Sequence, residues 1–310
     1  MSKAEQNKRP AVQTTGHAWD GDIQEYNNPL PTWWVWTFYG TIVFSLIYWL
    51  IFPSFPIGTS YTKGVFNNIT FQNDKGEEVT THWNTRSLFI KDMQTGDEAM
   101  KQKEYLEKIS ASSMEEILQD PDKMAFVRSM SKVLFADNCA ACHGSGADGV
   151  VGLFPSLVDD DWLWGGKPEQ ITATIANGRR GYMPPFAETL NSEQQKAVAS
   201  YVLSLSGIEG GEAETIKEGE EIFQGQTGGC FYCHTKEATG MHSQGAANLT
   251  DQVWTIVNVP GMESYDDKLR AVASVIHDGV VREMPPMKTR LSEDEIKLLT
   301  VYVHQLGGGQ

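Results

Sequence analysis

The sequence is poor in cysteine and in basic charge. Four cysteines are present among 310 residues, and they fall into two Cys-x-x-Cys pairs, which leaves none for a structural disulfide. Acidic residues outnumber basic ones by 40 to 25, and the formal net charge is −15. Nucleic acid is bound through a basic face that neutralises its phosphates. The charge balance therefore argues against nucleic acid as a partner.

Long apolar runs are also scarce. Residues 1–32 are polar and contain no run that could form a cleaved signal peptide. The exception is 33–52 (WWVWTFYGTIVFSLIYWLIF), which carries no charged side chain. As a helix it would span about 30 Å, the thickness of a hydrocarbon core, and tryptophan and tyrosine lie at both ends, as at membrane interfaces. A buried core helix is the alternative, but we predict a single membrane-spanning anchor at 33–52.

Between this helix and the first cysteine pair, residues 53–118 are expected to form a connector. Phe71–Val79 predicts a small hairpin that turns at Asp74-Lys75-Gly76. Residues 97–118 are charged and are predicted to be helical. No residue pattern in this stretch indicates chemistry.

The rest of the chain repeats itself with an offset of roughly a hundred residues, which predicts two similar domains. The matched pairs are Cys139 and Cys230, Trp162 and Trp254, Gly178 and Gly279, Met183 and Met284, and Tyr201 and Tyr302. We place the first domain at 119–207, a linker at 208–218 and the second domain at 219–310.

Each repeat is predicted to close on an amphipathic helix. A capping box, in which the first and fourth residues bond each other's backbone, is expected to open both helices. The pairs are Ser192 with Gln195 and Ser292 with Glu295.

Each domain begins with a Cys-x-x-Cys-His motif. The two motifs are Cys139-Ala-Ala-Cys142-His143 and Cys230-Phe-Tyr-Cys233-His234. Thiols at this spacing lie on one helical turn and can reach both vinyl groups of one porphyrin, while the histidine that follows faces the iron. A zinc site would need four ligands together, and a redox dithiol has no need of the histidine. Two such motifs in matched places predict two covalently bound haems c, with His143 and His234 as iron ligands.

The second axial ligand is expected downstream, from a methionine. Met183 and Met284 each precede Pro-Pro in the same place of the repeat. A thioether opposite histidine closes the iron and raises its potential, which suits electron transfer. Met287 competes with Met284, since Met-Pro-Pro-Met offers two sulfur atoms. Whether each methionine serves its own repeat or the other one stays open at this level.

Further residues are candidates for the haem pockets. The carbonyl of Pro155, matched by Ala247, is placed to accept from the proximal histidine's other ring nitrogen, and an ordinary turn is the alternative. Trp162 and Trp254 either pack on the haem or donate an indole hydrogen bond to a propionate. Arg179 and Arg180 are candidates for pairing with propionates, although they are equally compatible with an exposed surface.

The chain resembles the dihaem FixP/CcoP subunits (subunit III) of the cbb3-type, or C-type, haem–copper cytochrome c oxidases. The resemblance rests on 28–31 (NPLP) leading into Trp33 and Trp34, on 16–26 (GHAWDGDIQEY), on the single membrane helix and on the two haem motifs with Met-Pro-Pro. It covers nearly the whole chain. Some members of that family carry an additional N-terminal hydrophobic helix, whereas a single one is predicted here.

The resemblance implies a mainly α fold in which one transmembrane helix precedes two tandem class I cytochrome c domains. It implies that the chain takes electrons from a soluble cytochrome c and passes them towards a monohaem subunit and the haem–copper catalytic subunit. No residue pattern here indicates an oxygen-reducing centre, so no catalytic residue is assigned to this chain.

Haem c is attached outside the cytoplasm. We therefore expect the chain in a bacterial inner membrane, with residues 1–32 cytoplasmic and the haem domains periplasmic.

Two other functions are compatible with the motifs. One is a free, membrane-tethered dihaem electron carrier without a fixed oxidase partner. The other is a dihaem dehydrogenase of thiols or sulfur compounds, which would need an open or cysteine-ligated iron. All four cysteines are already assigned and both repeats offer a methionine, so the dehydrogenase fits less well.

Overall fold

A computed structural model describes residues 13–307, which divide after Gln102 into two compact units. Residues 1–12 of the predicted cytoplasmic segment and 308–310 of the predicted second domain lie outside the described residues.

From residue 13 onward, the N-terminal unit contains one long helix, one shorter helix and three hairpins. Its elements are β1 (Thr14–Trp19), β2 (Ile23–Tyr26), α1 (Thr32–Ile51), β3 (Pro56–Ile57), β4 (Ser60–Tyr61), β5 (Asn68–Gln72), β6 (Glu78–His82) and α2 (Thr85–Thr95). The strands pair antiparallel as β1–β2, β3–β4 and β5–β6. The hairpin predicted near Asp74 is β5–β6, with Gln72 paired to Glu78.

Helix α1 agrees with the predicted membrane span to within one residue at each end. Its N-cap is Pro31, it is 20 residues long, and it has no buried residue. A core helix of this composition would bury its apolar side chains. By length and composition it is the one described helix able to cross a membrane, and it fits a single-pass anchor.

The C-terminal unit is mainly helical, and its first helix begins ahead of the boundary after Gln102. Its elements are α3 (Asp97–Ala111), α4 (Met114–Gln119), α5 (Pro121–Asn138), α6 (Ala140–His143), α7 (Pro168–Asn177), β7 (Arg179–Met183), α8 (Ser192–Leu205), α9 (Ala213–Gln224), α10 (Phe231–His234), α11 (Tyr265–Asp278), β8 (Val280–Met284) and α12 (Glu293–Leu306).

One of the two predicted capping boxes is correct. Ser292 and Glu295 form the box that opens α12. For α8 the prediction is wrong by one residue, because Asn191 is the N-cap and pairs with Gln194. The amide of Gln195 turns inward instead and donates to the carbonyl of Leu190 at 2.7 Å.

We name the buried cluster around the first Cys-x-x-Cys-His motif core 1. Its last helix belongs to the second repeat. Helices α5 and α7 pack against α12. All three helices supply its buried apolar side chains, which include Phe135, Ile171, Ile175, Leu299 and Val303. Cys139 and Met284 both pack against this cluster.

Core 2 surrounds the second motif and takes its last helix from the first repeat. Helices α9 and α11 pack against α8. Its buried side chains include Val198, Val202, Phe223, Val272 and Ile276. Cys230 and Met183 both pack against this cluster. The two repeats have therefore exchanged their C-terminal helices.

The exchange takes place along one antiparallel pair of strands. In β7 and β8, Arg179 pairs with Met284 and Met183 pairs with Val280. Because Arg179 and Val280 occupy matched places in the repeat, as do the two methionines, the pairing has approximate two-fold symmetry. The chain leaves core 1 along β7 and returns along β8.

A glycine precedes each crossing strand. Gly178 and Gly279 have φ of 69° and 68°, a region that other residues adopt at a cost. A side chain on Gly178 would also collide with the carbonyl oxygen of Met284, and one on Gly279 with that of Met183. Each glycine thus admits the backbone of the opposite methionine.

The structure adds detail to the predicted domain ranges, which remain predictions. The two compact units divide at Gln102, inside the predicted connector 53–118. Helices α3 and α4 pack with α5 and α12 through side chains that include Ile109, Ile117, Val127 and Leu298. The second half of the predicted linker 208–218 forms the start of α9.

Candidate functional site: two histidine–thiol motifs on one cavity

Each motif forms a single helical turn that fixes its histidine. The backbone N–H of His143 donates to the carbonyl of Cys139 at 2.9 Å, and that of His234 to Cys230 at 2.9 Å. Gly144, with φ of 80°, ends the first turn. Both imidazoles are thereby held one turn beyond the first thiol of their motif.

Both histidines bond a backbone carbonyl through Nδ1. His143 Nδ1 lies 3.0 Å from the carbonyl oxygen of Pro155, and His234 Nδ1 lies 2.9 Å from that of Ala247. A carbonyl only accepts, so Nδ1 carries the proton and Nε2 keeps its lone pair. Burial also lowers the pKa of both imidazoles, although each carbonyl bond opposes the shift. These histidines are neutral and ready to ligate a metal through Nε2.

The four thiols differ in exposure within each motif. Cys139 and Cys230 are partly buried, whereas Cys142 and Cys233 are exposed. Burial raises the pKa of both Cys139 and Cys230 to about 11. Near neutral pH the buried thiol of each pair is therefore protonated.

Both motifs open onto one continuous cavity of about 850 Å³. The two histidines, Met183 and Met284 all line it. Through the exchanged helices, the fold brings Met284 to the core of the first motif and Met183 to that of the second. No group of three or more His, Cys, Asp or Glu side chains within residues 13–307 is arranged to hold a bare metal ion. A site of this kind suits a planar group with a central iron better than it suits zinc.

Met287 occupies a different structural place from Met284. Its backbone N–H donates to the carbonyl of Ile175 at 3.0 Å, just as that of Phe186 donates to Ile276 at 3.0 Å. Met287 is therefore the counterpart of Phe186, whose ring cannot ligate a metal. Met287 is 7% exposed and fills core 1. Of Met284 and Met287, only Met284 has a methionine, Met183, at the matched position of the first repeat.

Two polar groups that line the cavity fit an anionic ligand. The indole N–H of Trp162 and two guanidinium nitrogens of Arg282, Nε and Nη1, are buried without a hydrogen-bond partner among the described residues. The third nitrogen of Arg282 donates to the carbonyl of Thr255 at 2.7 Å. Buried donors of this kind are rarely left unpaired. Haem propionates would satisfy them, so the residues present fit the cofactor that the motifs imply.

The other pocket candidates are placed differently. Trp254 packs against core 2. Arg179 Nε donates to Thr174 Oγ1 at 2.8 Å, and its guanidinium lies 4.8 Å from the ring centroid of Trp164. Arg180 is exposed. The sequence analysis did not single out Arg282 as a pocket residue. The matched residue of the first repeat, which is also its strand partner, is Gly181 and not an arginine.

The fold and the site define a membrane-anchored c-type cytochrome. Comparison with known proteins gives the same class in more detail. The N-terminal domain of cytochrome oxidase-cbb3, FixP, matches residues 11–59. The family described as cytochrome C oxidase, cbb3-type, subunit III matches residues 130–202 and again 214–303.

Curated relatives match along almost the whole length. The cbb3-type cytochrome c oxidase subunit FixP of Azorhizobium caulinodans is 40% identical over 96% of this chain and 94% of its own. FixP of Sinorhizobium medicae is 38% identical over 96% of each chain. CcoP of Azospirillum brasilense is 35% identical over the full length of both. The chain belongs to the FixP/CcoP family of cbb3-type cytochrome c oxidase subunits, and the predicted fold class is confirmed.

Proposed function

We propose that this chain carries two covalently bound haems c and takes electrons from a soluble cytochrome c. It passes them towards the monohaem and haem–copper subunits of a cbb3-type oxidase, where oxygen is reduced. The observation that carries the proposal is the pair of equivalent motifs on one cavity, each with its histidine Nδ1 bonded to a carbonyl. Haem supplies a one-electron iron couple at each motif.

The protein's own residues would hold and tune the cofactors. Cys139 and Cys142, with Cys230 and Cys233, provide the thioether attachments. The carbonyls of Pro155 and Ala247 fix the imidazole tautomer and ring direction. Trp162 and Arg282 supply buried donors for propionates.

Residues of both repeats would hold each haem iron. His143 and Met284 would hold one iron, and His234 and Met183 would hold the other. The support is the exchange of C-terminal helices, which packs each methionine against the same core as the first cysteine of the other repeat's motif. A methionine opposite histidine suits electron transfer rather than oxygen binding, which agrees with a role as a carrier within the oxidase.

The proposed location is a bacterial inner membrane, with α1 as a single-pass anchor, the N-terminus cytoplasmic and the haem domains periplasmic. The acidic character of the chain suits a basic soluble donor. None of these residues forms an oxygen-reducing centre in the proposal, and the catalytic subunit is a partner.

Copurification tests the assignment. An affinity tag on this chain, in mild detergent, should recover a complex that contains b-type haem and copper. The pyridine haemochrome spectrum should show c-type haem at twice the molar amount of the chain. A tagged chain that is recovered with both c haems but never with b haem or copper would favour the free carrier instead.

A further inference from the structure

The segment that follows α1 folds back onto the end of that helix. The N–H of Val65 donates to the carbonyl of Leu50 at 2.9 Å. The ring of Phe55 meets that of Trp49 edge-on, with centroids 5.3 Å apart. Residues 53–66, which we name the juxtamembrane loop, therefore contact the last turn of α1 near both of their ends.

Gly64 makes this return possible. Its φ is 80°, and a side chain there would collide with the carbonyl of Ile51. The close approach and the positive φ together require glycine. The return to the helix end is thus built into the backbone.

The loop presents large apolar side chains that the described residues leave uncovered. Their exposed fractions are 48% for Phe55, 61% for Ile57, 43% for Val65 and 95% for Phe66. Phe66 also has φ of 67°, an unfavourable region for a bulky residue. The described residues leave the Phe66 ring almost fully exposed on this strained backbone.

The loop also carries a cation beside its apolar surface. Lys63 Nζ lies 3.6 Å from the centroid of the Tyr61 ring. Aromatic rings, with a lysine whose charge can reach the phosphates, are the side chains found at the boundary between headgroups and acyl chains.

We infer that the juxtamembrane loop inserts Phe55, Ile57 and Phe66 into the lipid interface at the C-terminal end of α1. Its partner is the phospholipid boundary, because the loop is continuous with a helix that has no buried residue and contacts that helix's last turn. The inference needs α1 to lie in a membrane, and it does not depend on the oxidase role.

Spin labels test this in the haem-loaded, full-length chain in phosphatidylcholine–phosphatidylglycerol nanodiscs. One label is placed at Phe66→Cys and a second reporter at Ile57→Cys. Leu46→Cys, on the exposed surface of α1, marks the bilayer core, and Asp74→Cys, at the far turn of the β5–β6 hairpin, marks water. The native cysteines are assigned to thioethers, and labelling of the unchanged protein measures any background. The readout is collision with oxygen, which dissolves in lipid, and with a polar nickel chelate.

Labels at 66 and 57 should collide with oxygen several-fold more than with nickel, as at 46, while the label at 74 shows the reverse. The pattern should persist in the assembled oxidase. Nickel access at 66 equal to that at 74 would overturn the inference. Protection from both reagents in the oxidase would show that a protein subunit covers the loop, and would also overturn it. A water-exposed label at 46 would remove the membrane anchor on which the inference rests.

Discussion

Arg282 holds a positive charge on the wall of the cavity, with two of its nitrogens free for a propionate. Burial lowers the pKa of this guanidinium, which nonetheless stays charged at neutral pH. A nearby cation favours the reduced, less positive state of an iron centre.

Arg282→Gln should therefore lower the midpoint potential of the adjacent haem by an amount on the order of tens of millivolts. The measurement is a spectroelectrochemical titration of both haems. Arg180→Gln, an exposed charge on the paired strand, is the matched control and should leave both potentials in place. An equal shift in the two variants would mean that surface charge, and not a propionate contact, sets the effect.

Asp161 is a partly buried carboxyl on the wall of the cavity. Burial raises its pKa to about 6, and repulsion from Asp251, Asp159 and Asp160 adds to the effect. The folded protein thus binds this proton more tightly than the unfolded chain. Its contribution to stability is fully present below the unfolded pKa of about 4 and is lost as pH rises through about 6.

Asp161→Asn should raise the unfolding free energy by about 1 kcal/mol near neutral pH, discounted for partial exposure. The gain should vanish at about pH 3, below the pKa of both states, where the carboxyl is protonated in the folded and the unfolded protein. Thermal unfolding at the two pH values, with Glu188→Gln as the exposed control, measures it. A gain that is the same at both pH values would refute the linkage.

At the scale of elements, local signals predicted much of the fold. The uncharged run gave α1, the turn residues near Asp74 gave β5–β6, and Ser292 with Glu295 gave the start of α12. The predicted start of α8 was one residue too late because Asn191 and Ser192 can both cap a helix, and each has a glutamine three residues later. The tertiary contact of Gln195 decided between them.

Gly178 is one of the two glycines that precede the crossing strands. Gly178→Ala should destabilise the protein by about 1–3 kcal/mol, from its positive φ and from the collision with the Met284 carbonyl. It should also weaken the sulfur-to-iron band of the haem at His143, which lies at about 700 nm for Met/His iron.

Gly181→Ala is the control for this change. Gly181 lies on the same strand, and an added Cβ meets no described atom within 4 Å. The comparison uses thermal unfolding and visible spectra of both variants. Equal behaviour of the two would show that the close approach of Gly178 to Met284 has no consequence.

At the scale of the whole molecule, the sequence indicated two repeats but not their exchange. The same matched residues fit two closed domains or two exchanged ones, because each C-terminal helix offers an equivalent apolar face to either core. The connection within each repeat decides between closed and exchanged domains, because the short strands that follow Gly178 and Gly279 cross over and pair with each other. Because this pairing joins strands that are far apart in the sequence, no local sequence pattern predicts it.

The exchange predicts that the repeats cannot separate. A protease site inserted between Glu209 and Gly210, which are exposed, lies between α8 and α9. After cleavage, both fragments should remain together in gel filtration, since each contributes helices to both cores. Fragments that elute apart without denaturant, each with its haem and its near-700 nm band, would indicate two independent domains.

The most direct test of the account is the methionine that ligates a single remaining haem. In a Cys139→Ser/Cys142→Ser variant, only the haem at the second motif should be attached. Adding Met183→Ala should then abolish the sulfur-to-iron band of that haem, whereas adding Met284→Ala should leave it. Loss of the band with Met284→Ala, and its survival with Met183→Ala, would contradict the crossed sites.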